Sequence, residues 1–251
     1  MMPIAQAKRL VDEQKWYHSF EVIPGLWTAG KHFTPAKKIL DDRHRVPQDL
    51  SGKTVLDIGA LDAAYGFELE NRGAKLTALD IQKPDFTGWN CAKKLRESAA
   101  EYIQGDCYEL VNLVGGCKFD IISFFGVWYH LKHPLRAFEQ VAACLKDDGV
   151  LLYEGACVRE HLEAPGKTPE ELKEFARQIA DSPVPLTAYY ADSVYGDKWS
   201  WFVPNAACVQ EWLKTAGLAS EFHSFGHERM AGNARKIPGA KISVDNPVWG
   251  P

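Results

Sequence analysis

Gly59, Asp80 and Asp106 each follow a short apolar run, TVLDI, KLTAL and EYIQG, and that spacing suits the binding of an adenosine. In an open sheet of parallel strands, ligands lie beyond the carboxyl ends, and the loop after the first strand comes closest to them. Gly59 stands there, where a side chain would obstruct the approach. Asp80 follows about twenty residues on, the place from which a carboxylate accepts hydrogen bonds from both ribose hydroxyls. Asp106 ends the third run. Either aspartate alone reads equally well as a turn cap; at the ends of successive strands the two favour a ligand.

The loop itself selects among adenosine cofactors. A dinucleotide needs a glycine-rich turn that admits a pyrophosphate to a helix N-terminus. Here ALDAAYG puts Leu61, Asp62 and Ala64 at that contact, and Asp62 would repel the phosphates. A cofactor carrying positive charge suits the loop better, and S-adenosylmethionine supplies an ammonium and a sulfonium.

These residues need a scaffold. TVLDIG, KLTALDI, EYIQGD, FDIISFFGV and VLLYEGA read as five strands, the fourth apolar throughout as in a strand buried on both faces. FELENRG and PLRAFEQVAACLKDDG read as helices closed by glycine. Alternation of this kind predicts parallel pairing through right-handed crossovers. Residues 156–203 interrupt it with a helix, TPEELKEFARQIA, whose Thr168 and Glu171 form a capping box, and with an aromatic, turn-rich stretch expected to act as a lid. The helix AACVQEWLKTAG and a closing antiparallel pair, ASEFHSFGH and GNARKI, follow. The expectation is an α/β fold with a doubly wound, mostly parallel seven-stranded sheet. It has an N-terminal extension (1–50) with a short helix over 3–15 and EVIPGLWTAG as an ordered loop, a cofactor-binding core (51–155), an insertion (156–203) and a C-terminal completion (204–251).

Composition narrows the function classes. The net charge of −4 gives no global basic field to draw the chain to nucleic acid. No apolar run is long enough to cross a bilayer, and the start, MMPIAQAKRLVDEQKWYH, lacks the apolar centre of a signal peptide, which predicts a cytoplasmic protein without membrane contact. The six cysteines show no C-x-x-C pairing and read as free thiols. His130 and His133 form an H-x-x-H without a third ligand at recognisable spacing, so no metal is expected.

Several motifs resemble those of the class I S-adenosylmethionine-dependent methyltransferases, and within them the group similar to tRNA wobble-uridine (carboxy)methyltransferases: WYHSFEVIPGLWTAG, DIGALDAAYGFELENRGA, ALDI, GDCYEL, FFGVWYHLKHPLRAF and WSWFVPN. The resemblance implies that Gly59 lies under the methionine part of the cofactor, Asp80 and Ile81 hold the ribose, and Asp106 and Cys107 flank the adenine. It sets Phe125 and Gly126 at the methionine end, Tyr129 beside the transferred group, and Lys38 against the cofactor. Trp16, Tyr17 and His18, with Trp199, Trp201 and Phe202, fall in segments placed over the acceptor. His130, next to the expected sulfonium, is the candidate base, with capping of the following helix as the alternative.

One departure bears on the cofactor. Carboxymethyl-transferring relatives hold the extra carboxylate of carboxy-S-adenosylmethionine with a front-segment lysine, the tyrosine matched by Tyr129, and a C-terminal arginine. Arg229 or Arg235 could be that arginine, but KWYHSF puts Tyr17 or His18 near the lysine's position, which removes a charge-assisted contact. The sequence therefore predicts ordinary S-adenosylmethionine and methyl transfer to O or N of a small molecule. A tRNA wobble-uridine acceptor ranks second, and a non-catalytic methyltransferase-like binding protein third.

Overall fold

The sheet strands, in a computed structural model that describes residues 2–194, 196–225, 228–242 and 244, are β1 (Thr54–Ile58), β2 (Lys75–Asp80), β3 (Glu101–Gln104), β4 (Phe119–Phe125), β5 (Leu145–Ala156), β6 (Leu218–Phe225) and β7 (Arg229–Lys236). The helices are α1 (Ile4–Asp12), α2 (Ala36–Asp42), α3 (Ala64–Asn71), α4 (Trp89–Leu95), α5 (Leu110–Leu113), α6 (Pro134–Cys144), α7 (Pro169–Ala180) and α8 (Ala206–Thr215). The spatial order is β3-β2-β1-β4-β5-β7-β6, with only β7 antiparallel to its neighbours. Strand order reverses between β1 and β4, so the crevice of a doubly wound sheet opens beyond Ile58 and Phe125.

Helices on both faces explain why β4 alternates so little: Phe119 to Phe124 are all buried. Phe124, Phe138, Val141, Tyr153 and Val209 pack on the face covered by α6 and α8. Val55, Phe67, Leu76, Trp89 and Leu152 pack on the other, where α1 and α2 add Ala7, Val11 and Leu40. The N-terminal extension is thus part of the core rather than a loose cover. Each fully buried side chain of the Phe or Leu class contributes about 1.5–3 kcal/mol.

Two elements differ from the sequence reading. EVIPGLWTAG is not a loop but begins as a hairpin, Glu21–Ile23 against Leu26–Trp27, turning at Pro24-Gly25. The helix expected to run to Gly149 ends at Cys144, and LKDDG belongs to β5. Leu145 pairs with Phe119 across a shift in register, and a side chain at position 149 would lie 2.9 Å from Leu145 Cδ1 and 3.0 Å from the Phe119 carbonyl. Gly149 therefore serves a close strand contact, not a helix stop; tertiary pairing overrides the local helical pattern.

The insertion has a small core of its own, in which Val158, Leu162, Ala176, Val194 and Val203 are buried. The capping box at Thr168 and Glu171 forms as expected. Asn205, fully buried, fastens this segment to α8: its amide donates to the carbonyls of Ile179, Ser182 and Val184, and its oxygen accepts from the N–H groups of Leu186 and Cys208. No helix among the described residues is long and apolar enough to cross a membrane, and no group of three His, Cys, Asp or Glu residues among them could hold a metal ion.

Candidate active site

The loop after β1 keeps a glycine-like path with few glycines. Gly59 has φ +71°, and a side chain there would lie 2.6 Å from Val127 Cγ2, so the loops after β1 and β4 touch. Leu61 and Ala63 also adopt left-handed φ, +51° and +55°. For an L-residue this costs roughly 1–2 kcal/mol each. The tie that holds it is Asp80: its Oδ2 accepts the Leu61 N–H at 2.9 Å and its Oδ1 the Gln82 N–H at 2.8 Å. Burial raises this carboxyl above the usual aspartate range. Ile81, beside it, is exposed. At the end of β3, Asp106 accepts the Tyr108 N–H at 2.9 Å and caps the turn Cys107–Glu109. Burial pushes the Cys107 thiol up to about 12, which leaves it an apolar packing group at neutral pH. Both aspartates cap their turns, and each oxygen that accepts one N–H keeps a further lone pair for a ligand.

Asp62 corrects the sequence argument about charge. It is fully buried and does not face an open cofactor cleft. Its Oδ2 accepts the N–H groups of Tyr17 at 2.7 Å and His18 at 3.0 Å, and its Oδ1 pairs with His18 Nδ1. The partner of Asp62 is a histidine of the same chain.

On the other side of the crevice, Gly126 has φ +72°, and a side chain there would come within 3.5 Å of Tyr129 Oη. Tyr129 is buried, which raises its pKa, and its hydroxyl accepts from Arg229 Nη1 at 3.2 Å. Arg229 makes a two-pronged contact with Glu154, Nε to Oε1 at 2.5 Å and Nη2 to Oε2 at 2.7 Å. Burial works against the guanidinium charge, but the Glu154 carboxylate outweighs it and holds the arginine pKa above its usual value. Arg235 instead donates to the carbonyls of Asp148 and Gly149, at the other end of β7.

His130 donates from Nδ1 to the Trp199 carbonyl at 3.1 Å, a carbonyl being able only to accept. Its Nε2 lies 3.7 Å from Asp197 Oδ2. Burial lowers its pKa. The ring thus joins the end of β4 to the insertion, as does the Trp201 N–H, which donates to the Tyr129 carbonyl at 2.7 Å.

The front segment packs against the loop after β1 and the start of α3. Tyr17 meets His32 at a tilt of 35° with centroids 4.6 Å apart, His18 meets the Tyr65 ring edge at 6.0 Å, and Tyr65 meets Phe125 at 4.6 Å. Partial burial, then the neighbouring Tyr129 and Asp197, push the Tyr17 phenol up to about 12. Burial and His18 lower the pKa of His32.

Other expected residues lie elsewhere. Trp16 is buried between α1 and α4, its indole donating to the Val11 carbonyl and packing on Gly88, so it anchors the extension. Lys38 is exposed and paired with Asp42 on α2, lining a cleft of about 480 Å³ with Trp27, Phe67 and Arg96; that lining includes none of Asp80, Asp106, Tyr129 or His130. Trp199 is 67 % exposed, and Trp201 lies under the Lys132 ammonium, 4.5 Å from its ring centre. Sequence reasoning missed Glu154, His32, Tyr65 and Asn205. An acidic residue inside the apolar run VLLYEGA was the available signal for Glu154; the others carried none.

The donor set fits S-adenosylmethionine. Two carboxylates stand at successive strand ends, an exposed apolar side chain adjoins the first, and the loop after β1 offers no cation to a pyrophosphate. The methyltransferase-domain family model matches residues 31–228. A tRNA U34 carboxymethyltransferase of Desulfotalea psychrophila is 26 % identical over 173 residues, 68 % of this chain and 46 % of that protein, so the chain spans about half the length of this curated relative. The N-terminal domain of EvdMO1, solved in the presence of SAH and D-fucose, aligns with TM-score 0.62 at 15 % identity, over 94 % of this chain and 98 % of that one. The 1,6-didemethyltoxoflavin-N1-methyltransferase of Burkholderia thailandensis aligns with TM-score 0.53 at 18 % identity, over 81 % and 77 %. With the strand order, the crevice residues and a family match over most of its length, the chain belongs to the class I S-adenosylmethionine-dependent methyltransferases.

Proposed function

We propose that the chain transfers a methyl group from S-adenosylmethionine to an oxygen or nitrogen of a small molecule enclosed by the strand ends, the front segment and the insertion. Bound against Gly59, Asp80, Ile81 and Asp106, the cofactor supplies a methyl group already activated on a sulfonium. The protein aligns the acceptor and excludes water. The observation that carries this reading is the Arg229–Glu154 pair. A guanidinium already held by a carboxylate at 2.5 and 2.7 Å is a weak receptor for a second carboxylate, which disfavours carboxy-S-adenosylmethionine. The acidic net charge of −4 and the free thiols, five of them buried, accord with a small acceptor and a cytoplasmic setting.

A second reading, supported by the name of the Desulfotalea psychrophila relative, keeps the fold and takes the wobble uridine of tRNA as acceptor. Incubation with methyl-labelled S-adenosylmethionine and either a panel of phenols, amines and carboxylic acids or unmodified tRNA separates the two. Label in a small molecule is expected; label in tRNA with salt-sensitive binding would overturn the first reading. A chain that binds S-adenosylhomocysteine and methylates nothing would point to a binding role instead.

A further inference from the structure

We propose that His18, set by Asp62, takes the proton from the acceptor as the methyl group is transferred. This rests on the methyl-transfer reading and adds a residue role to it. Asp62 is fully buried, and both its oxygens are committed to the front segment through the Tyr17 and His18 N–H groups and His18 Nδ1. A carboxylate can only accept, so Nδ1 carries a proton and, in the neutral ring, the lone pair is on Nε2. The only side-chain hydrogen bond of the ring among the described residues is the Nδ1 contact with Asp62, and 13 % of the side chain is open, which leaves Nε2 for the acceptor. His130 differs: its ring is tied to the insertion through the Trp199 carbonyl, with exposed Asp197 at its outer nitrogen.

Position supports the same choice. Asp62 belongs to the loop between β1 and α3, three residues after Gly59, so His18 is fixed to the loop that cradles the cofactor. The groups facing His18 are Asp57 and Asp62 from the β1 side, Tyr65 from α3, and Tyr17 and His32 from the front segment. Buried Asp62 is placed to stabilise the imidazolium that forms, while an imidazole suits proton abstraction near neutral pH.

In the step, the acceptor O–H or N–H proton passes to His18 Nε2 while the oxygen or nitrogen lone pair forms the bond to the methyl carbon. The carbon–sulfur bond breaks and its electron pair stays on sulfur, so the positive charge lost there reappears on the imidazolium.

The test combines nitrogen NMR of histidine-labelled protein with turnover of His18→Asn, whose amide N–H replaces Nδ1–H towards Asp62 and preserves the fold. We expect the His18 signals, assigned by their loss in His18→Asn, to show a protonated Nδ1 and a bare Nε2 in the neutral ring. Asp62→Asn should lose that preference. His18→Asn should bind S-adenosylhomocysteine within twofold of wild type by calorimetry. Its turnover on a phenol acceptor should fall about 100-fold, with loss of the acidic limb of the pH–rate profile. An Nε2–H tautomer, wild-type turnover in His18→Asn, or a matching loss of S-adenosylhomocysteine binding would each overturn the proton-acceptor role alone. A wild-type chain that binds S-adenosylhomocysteine but methylates no acceptor would overturn the methyl-transfer reading and this role with it.

Discussion

Arg229 and Glu154 engage two-to-two across neighbouring antiparallel strands, with contacts of 2.5 and 2.7 Å, and Arg229 reaches Tyr129 Oη with its remaining terminal nitrogen. Glu154→Gln removes the competing charge and leaves the guanidinium available. Its preference between the two cofactors is expected to shift about tenfold towards carboxy-S-adenosylmethionine, roughly 1.4 kcal/mol. Calorimetric titration with both cofactors checks this; an unchanged ratio would mean that Glu154 does not set the selectivity.

Asp80→Ala should weaken S-adenosylhomocysteine binding by roughly 1.5–3 kcal/mol, the worth of hydrogen bonds to a charged group, or about 10- to 150-fold. The same change frees the Leu61 N–H, so the loop after β1 should also become easier to cut by protease. Binding at wild-type strength would show that the ribose lies elsewhere.

Ala63→Gly tests the strain in that loop. Ala63 opens α3 at φ +55° and is buried, so glycine relieves the left-handed conformation at little packing cost. A gain of roughly 0.5–1 kcal/mol in urea unfolding is expected. A loss would mean that the alanine methyl contributes more than the strain costs.

Asn205→Ala should unfasten the insertion. Five hydrogen bonds lose their partner at a fully buried position, which we expect to cost about 3 kcal/mol and lower Tm by about 6–12 °C. Proteolysis should then begin within residues 160–204. A melting temperature unchanged within 2 °C, about half a kcal/mol, would contradict this account.

Asp57 gives a pH dependence of known sign. Burial raises its pKa from 3.8 to about 6, partly offset by the Ser123 hydroxyl at 2.5 Å. The folded state therefore holds this proton more tightly than the unfolded chain. Its contribution is fully present below pH 4 and is lost as pH rises through about 6. The amount is about 3 kcal/mol. Asp57→Asn does not titrate, so the stability difference between wild type and variant should change by that order between pH 4 and 7 in urea unfolding. A constant difference would show that Asp57 ionises normally.

The alternation of apolar runs and helices made the sheet legible, including the antiparallel closing pair, because period and turn residues are local signals. The start of β5 was not, because Leu145 enters a strand through its pairing with Phe119 rather than through its neighbours in sequence. At the candidate site, the positions of Gly59, Asp80 and Asp106 at strand ends were legible, because strand ends are marked locally in the sequence. Glu154 and His32 did not, since their meaning depends on Arg229 and Tyr17, which only folding brings near. The charge of Asp62 is plain in the sequence, but its direction, towards the front segment, is set only by folding. Its partner, His18, lies 44 residues earlier in the chain, and no local signal ties the two together.

That partnership makes residues 18 and 62 a single unit of exchange. Grafting another front segment onto this core would import a residue 18 unmatched to the buried carboxylate, and replacing the β1–α3 loop would strand the histidine. A change of residue 18 must therefore be matched in the β1–α3 loop in the same stroke, by paired changes rather than by single ones.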